Sequence, residues 1–396
     1  MILLLIRNVN GMLERALWQC WPRWWADFHQ GASMEYMSRW NHMPETGVRI
    51  ATRTVDRNSR PPDWRGRRRR FLGYLSLGFA LIFTAVAIML PTWIADTLIK
   101  FPAQVREVGT ASGAGSLLNI NTLLQGKLEV EHEVPIKGYS VMTSVEPTNA
   151  ETVTLRVAQQ VVRLDRPGPK GLSDAIVDQV SIDRSNGRPQ RRPAMTVFEP
   201  AQKPLQTIRT GFQYKLPFNT GRHDYPYFDV GSQQEIALKY LDDATSLDGL
   251  QLLHFRTQLH SAPLTGLLPM RGSVTLPARI LENSSSEQVV TMHLFSSAIR
   301  DFWVEPATGS VVSAAERQLK YLVTSPGGSP SLTVFEGTMR SDEQTVMKLI
   351  KKSHEARQEI ALLRTDAPVI ASIAAAVTLA FGAWRLPPIW QRGRTS

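Results

Sequence analysis

Cysteine is almost missing from this 396-residue chain: Cys20 is the only one. Beyond it no disulfide and no cysteine-based metal site can form. The central region, roughly 270 residues long, must therefore be held by its own core, and it is large enough to have one. Charge is missing from two stretches, 24 positions at Phe71–Ile94 and 18 at Ala367–Trp384. Lysine is missing from residues 1–66. Several catalytic signatures are missing throughout: no HExxH, no GxSxG, and no glycine loop ending in GK[ST]. Their absence removes the commonest zinc-protease, serine-hydrolase and phosphate-loop readings.

What is present is an excess of arginine, unevenly placed. The net charge is +10. Residues 1–70 hold 13 Arg against six acids, and the tail after Trp384 adds three Arg. Everything between, residues 71–384, balances 29 cations with 29 acids. A basic excess confined to the outer flanks of two apolar segments is the positive-inside bias of a membrane protein, not a nucleic-acid patch. Arg67, Arg68, Arg69 and Arg70 precede the first span and Arg385 follows the second, so these five are the topology-determining residues. Phe71–Ile94 would form a helix about 36 Å long, enough to cross a ~30 Å hydrocarbon core with some tilt. It is too long for the core of a cleaved signal, and Trp93-Ile94-Ala95-Asp96 is a poor cleavage site. The expected layout has both termini in the cytosol, two spans, and a large extracytoplasmic domain.

The chain divides accordingly. Residues 1–66 carry six of the ten tryptophans (Trp18, Trp21, Trp24, Trp25, Trp40 and Trp64) and no clean helical stripe. They read as a disordered cytoplasmic leader, or as upstream sequence translated from an early start, with Met34, Met37 and Met43 as later starts. Leu13–Trp25 as an interfacial helix is the alternative. Transmembrane helix 1 with its arginine lead occupies 67–94. Residues 97–125 read as a linker, because Gly109–Ser116 is glycine-rich without the spacing of a phosphate loop.

From 126 to 340 the apolar period is two, which predicts a mainly antiparallel β domain. Candidate strands include Ile176–Ile182, Met195–Phe198, Phe212–Leu216, Glu235–Tyr240, Leu250–Phe255, Ser273–Ile280, Val289–Phe295, Val311–Leu322 and Leu332–Gly337. Asn186-Gly187, Asp248-Gly249, Thr308-Gly309 and Pro326-Gly327-Gly328 supply turns. Val180–Gly187 and Phe302–Gly309 share one device: strand, acid, two residues, then Asn or Thr before Gly. Ser341 to Gln344 matches a capping box opening an amphipathic juxtamembrane helix over 341–364. Its stripe is Val346, Leu349, Ser353, Ala356, Ile360 and Leu363, which favours packing on its own β domain over self-association. Asp366 caps transmembrane helix 2, 367–384, with Pro368 in its first turn. A cytoplasmic tail, 385–396, follows. The fold class is two transmembrane helices flanking a mainly antiparallel β (α+β) extracytoplasmic domain.

Residues with chemistry are scattered. His254 and His260 fall on one face of a strand without a third ligand, so they read as structural. Glu129, Glu131 and Glu133 alternate along a strand and read as its exposed face. Asn283-Ser284-Ser285 is a glycosylation sequon that carries no meaning in a bacterial host. No catalytic residue, metal ligand or cofactor is nominated, and an enzyme is unsupported. The densest aromatics, Gly211–Phe218 and Tyr225–Asp229, read as core packing and turn bracing before a ligand groove.

Those aromatics also carry a resemblance. The order GFQYKLPF, YPYFD, LDGLQLLHF, DFWVEPATGSVV and TVFEGTM, with a final helix and span, resembles an actinobacterial envelope family. That family is the porin PorA-like family, first catalogued as a domain of unknown function. The likeness runs from Arg67 to about Trp384, rests on turns and aromatics, and transfers no catalytic residue. It implies a multi-pass envelope protein, with channel formation attributed to at least one member. Two helical spans bracketing a β region are not a transmembrane barrel, and one helix pair encloses no water. A pore would need a homo-oligomer, or insertion of the β region into an outer lipid layer. The expected partner is the lipid bilayer, with no nucleic acid. The functional expectation is permeation or lipid handling; the alternative is a non-conducting structural or ligand-binding domain anchored at both ends.

Overall fold

The computed structural model describes residues 64–386, apart from 199–202, 247, 265–266, 269–271, 283–287 and 325–330. Cys20, the leader tryptophans before Trp64, the alternative starts, the sequon, the Pro326-Gly327-Gly328 turn and the tail beyond 386 lie outside the described residues.

The first long helix, α1 (Trp64–Met89), continues through a single π-type turn, Leu90–Ile94, into the short α2 (Ala95–Leu98). At the other end α5 (Glu343–Ala361) continues through a second π-type turn, Leu362–Asp366, into α6 (Ala367–Arg385). Two short helices lie between, α3 (Ile120–Leu124) and α4 (Ala278–Glu282). Pro91 sits within the first π-type turn and Pro368 just after the second. A proline removes one helical donor, and a local π turn reroutes the ladder around the gap without breaking the helix. Asp366 is therefore not a cap: its backbone is helical, φ −69° and ψ −50°, and its side chain caps nothing. The expected capping box also shifts. Ser341 still has a ladder partner in Ala111, and its hydroxyl bonds the backbone of Ala314. The extended residue before the helix is Asp342. Strand pairing outcompeted the local cap.

Among the described residues, one sheet of 13 strands lies between the helices, and every neighbouring pair in it is antiparallel. In chain order they are β1 (Arg106–Leu118), β2 (Val130–Val145), β3 (Thr152–Arg163), β4 (Leu172–Asp183), β5 (Ala194–Val197), β6 (Leu205–Thr207), β7 (Tyr225–Asp229), β8 (Gln234–Thr245), β9 (Gln251–Pro263), β10 (Ser273–Pro277), β11 (Val289–Glu305), β12 (Ser310–Val323) and β13 (Leu332–Ser341). The order across the sheet is β6-β5-β4-β3-β2-β1-β13-β12-β11-β9-β8-β7, with β10 on β11. The first and last strands are thus hydrogen-bonded neighbours, from Ala111 opposite Ser341 to Leu117 opposite Phe335. That closure brings the two helices together at the foot of the sheet.

The glycine-rich stretch expected as a linker is β1 itself. Its glycines answer a steric need: a Cβ on Gly113 would lie 1.8 Å from the carbonyl oxygen of Thr338 on β13. Glycine's weak strand preference hid this, because only the pairing demands it. Two other expectations change. Phe212–Leu216 is not a strand; Phe212 makes only an isolated parallel bridge to Tyr227. The β segment expected over Ser273–Ile280 ends at Pro277, where α4 begins.

The sheet curls on itself. Leu264, Leu276, Met292 and Leu294, from the β9–β11 side, form one buried cluster with Phe198, against which Ile176 of β4 and Leu205 of β6 pack. Lys320 of β12 pairs with Asp174 of β4 at 2.5 Å. Gln233, between β7 and β8, accepts from Thr207 of β6 at 3.0 Å and donates to Thr196 of β5 at 3.1 Å. The edge of β7 is covered by the connecting segment, with Phe212 N–H donating to the Pro226 carbonyl and Phe228 N–H to the Phe212 carbonyl. On the outer face α5 buries Ile350 against Leu250, Leu252 and Val312, flanked by Val346 and Leu349. Ser353 is buried in the same helix, so the amphipathic stripe packs on the β domain of its own chain.

Candidate functional site

The helix pair is antiparallel and crosses where both backbones are bare. A Cβ built on Gly382 would stand 3.1 Å from the carbonyl oxygen of Gly73, and one on Gly73 would stand 3.4 Å from Cβ of Arg385. Ala80, Ala371 and Ala375 are also buried along this seam. Small residues at a crossing let helices approach closely, the usual solution where no water drives association. Away from the seam the helices are bare: Phe79, Leu81, Ile82, Ile88, Ile370, Ile373, Val377 and Leu379 are all exposed. Inside the apolar lengths the hydroxyls are satisfied locally. Ser76, Thr84, Thr92, Ser372 and Thr378 each donate to the carbonyl four residues earlier. That is the arrangement a hydrocarbon environment requires. An open apolar groove lies between the helices, lined by Leu77, Ala80, Leu81, Thr84, Ala375, Ala376 and Leu379.

The two ends of the pair differ. At the end joined to the sheet, Arg364 donates to Asp96 at 2.9 Å, a contact between residues 268 apart in sequence. At the far end lie all five arginines expected from the sequence to set the topology. Arg67, Arg68, Arg69 and Arg70 are exposed in the first turns of α1. Arg385 closes α6 with its guanidinium 5.0 Å from the rings of both Phe381 and Trp384.

The β domain encloses charged groups that spacing did not reveal. Asp178 of β4 is 1% exposed and accepts from Arg209, Thr196, Gln213 and Tyr214 at 2.7–2.9 Å. Burial opposes its ionisation, but the Arg209 guanidinium, with the Thr196 and Gln213 donors, outweighs that and holds the carboxyl below the usual carboxylate range. Arg209 also lies 4.4 Å from the ring of Phe228. Tyr214, buried and facing Asp178, has its phenol pushed far up. A second centre joins Arg300 to Asp229 and, at 2.9 Å, to Glu316. A third is Lys215, which donates to the carbonyls of Leu216 and Thr308 at 2.8 and 2.7 Å and stands 3.7 Å from the Phe218 ring. Burial lowers the Lys215 ammonium to about 7, with Glu305 partly opposing the shift. All three are paired with partners from the same chain, as structural centres are, although the buried Nε of Arg209 is left without a bond.

The residues singled out by sequence resolve in the same direction. The paired acid-and-glycine turns are alike in structure: Asp183 accepts from the backbone of Ser185 and Asn186, and Glu305 from that of Ala307 and Thr308. Gly187 and Gly309 close them at φ +76° and +68°. His254 does share a face of β9 with His260, but its ring nitrogens face Asp242 at 3.1 Å and Asp301 at 2.8 Å, and it stacks on Trp303 at 4.9 Å. Among the described residues no group of three metal-binding side chains converges. The three glutamates do not form one row. The ladder slips between Gly115 and Leu117, Glu133 takes φ 51°, and Glu131 ties Arg163 and Arg166 together. Phe212, Leu216, Tyr225 and Phe255 pack with Leu238, Leu253 and Val304 as core, leaving no aromatic groove in that cluster.

A single antiparallel β domain carried on two long apolar helices, with the basic residues of both helices at the end remote from the sheet, is the build of a membrane or cell-envelope protein. A sequence model of the Porin PorA family matches residues 72–384, and the chain belongs to that family. A Porin PorA of Corynebacterium amycolatum is 24% identical over 383 residues, covering 79% of this chain and 98% of the relative. A Porin PorA of Corynebacterium resistens is 28% identical over 207 residues, covering 45% of this chain and 49% of the relative. The family name denotes a channel rather than an enzyme, and it makes this chain a porin-like cell-envelope protein.

Proposed function

We infer that the chain is an envelope porin-like protein whose helix pair crosses the membrane and whose β domain stands outside it, acting in permeation or lipid handling. Arg67, Arg68, Arg69, Arg70 and Arg385 hold both termini in the cytosol. Residues 1–66 and 385–396 are its cytoplasmic parts, 126–340 its extracytoplasmic domain, and 341–364 the juxtamembrane helix. The observation that carries this reading is the bare apolar circumference of the helix pair beside its internally bonded hydroxyls, together with the family match. A soluble protein exposes no apolar surface of that extent without a partner. One helix pair encloses no water-filled path, so conduction needs several copies or insertion of the β region into an outer lipid layer.

Full-length protein in a planar bilayer tests the permeation arm. Stepwise conductance that disappears when 106–341 is deleted is the expected result, and silence after verified insertion overturns it. Reporters fused after residues 60, 200 and 390 test the layout: cytosolic signal at 60 and 390 but not at 200 is expected, and the reverse overturns it. A second reading, a non-conducting structural or ligand-binding domain, draws support from the packed space inside the curled sheet. Phe255, Met292 and Val304 there are fully buried.

A further inference from the structure

The basic end of the helix pair has more donors than acceptors. Arg69 reaches one protein acceptor, the carbonyl of Trp384, at a weak 3.5 Å. The Nε of Arg385 is buried and bonds to nothing, while its guanidinium lies 5.0 Å from the rings of both Phe381 and Trp384, which are themselves neighbours at 6.1 Å. Among the described residues no carboxylate pairs with Arg67, Arg68, Arg69, Arg70 or Arg385. The placement is not an accident of one helix. Gly73 and Gly382 let the backbones touch, and one turn before Gly73 the Arg69 side chain reaches the carbonyl of Trp384, the residue that precedes Arg385.

We propose that Arg69 and Arg385 together seat the phosphate of an anionic phospholipid headgroup. The proposal rests on the membrane reading above and adds a ligand to it. Guanidinium forks match phosphate oxygens in pairs, which a lysine ammonium does not. The apolar belts end at Phe71 and Trp384, so this cradle lies at headgroup depth, where anionic lipids concentrate basic residues. The neighbouring rings of Phe381 and Trp384 brace one side of the Arg385 guanidinium and would flank the glycerol of a bound lipid.

The test uses the full-length chain purified in neutral detergent and offered equal amounts of phosphatidylglycerol and phosphatidylcholine, with retained lipid identified by native mass spectrometry. Preferential retention of phosphatidylglycerol is expected, falling about tenfold when R69Q and R385Q are combined. R67Q with R68Q removes the same charge and is expected to change retention little. Equal loss in the two double variants overturns the seat in favour of a diffuse charge effect. R69K with R385K keeps the charge without the fork, and full retention there also overturns it. Displacement of the lipid by inorganic phosphate would mean the cradle takes free anions, which overturns the lipid assignment. Flotation with vesicles, scored on the same preparations, separates the two levels. A chain that does not float overturns the membrane reading and the seat together, whereas one that floats without lipid preference overturns the seat alone.

Discussion

Arg209 donates to Asp178 through both terminal nitrogens, at 2.9 and 2.7 Å, and neither side chain is more than 2% exposed. The pair ties the segment after β6 to the middle of β4, and so helps hold the curled half of the sheet shut. Its value lies in the two-pronged pairing, since the remaining donor, Arg209 Nε, is buried without a bond. Removing one partner leaves the other charged and dry, which costs more than the intact pair contributes.

Arg209→Met is therefore expected to destabilise the protein by about 3–5 kcal/mol, the range for breaking a buried ion pair. Replacing both residues with apolar ones, Arg209→Met with Asp178→Leu, should recover part of that loss. Denaturant melts of the full chain in detergent measure both. A double variant no better than the single would show that the pair is not the source of the effect.

Two turn glycines separate conformational strain from collision. Gly309 has φ +68°, and a Cβ there would lie 2.1 Å from the Leu216 carbonyl oxygen, whereas Gly249 has φ +82° and open space. Gly249→Ala should cost about 1 kcal/mol, and Gly309→Ala about 3 kcal/mol. Thermal melts that rank them equally would place the whole effect in the backbone angle.

Lys215 gives the β domain a pH dependence of definite sign. Its ammonium is lowered from 10.5 to about 7 in the fold. Between those values the unfolded chain holds the proton that the native state has lost, so the unfolded state binds more protons and stability rises with pH. Below about 7 both states are charged and this contribution is flat. Lys215→Met should abolish the rise between pH 7 and 10 seen in stability curves of the parent. An unchanged slope would mean that another group produces it.

The helix crossing should be sensitive to bulk. Gly382→Ile forces a branched side chain against the Gly73 carbonyl, 3.1 Å from the new Cβ position. A loss of about 1–3 kcal/mol is expected, in the range for overpacking a tight contact. Val377→Ile, on the exposed side of α6, should be neutral. The comparison is made by thermal melts in one detergent.

Much of this architecture could be read along the chain. Two uncharged runs become two long helices because length and composition alone decide whether a segment can be helical and apolar throughout. The two-residue period of the central region becomes antiparallel sheet, and the acid-and-glycine turns form as their spacing implied, since both are local properties. Where the reading went astray, a distant partner decided. Gly109–Ser116 looks like a linker until β13 lies against it. Ser341 looks like a cap until β1 claims it. Phe212 looks like a strand residue until it turns to cover the edge of β7.

The chain by itself determined that arginine crowds the outer flanks of two apolar segments while everything between is neutral. Only tertiary structure decided that those flanks meet. Pairing of β1 with β13 brings the helices side by side, and at the Gly73–Gly382 contact Arg69 reaches the carbonyl of Trp384, next to Arg385 in the chain. Buried pairs such as Asp178 with Arg209 belong to the same level, because charge complementarity inside a core depends on which strands end up facing each other. That follows from how the sheet curls, which no local pattern encodes.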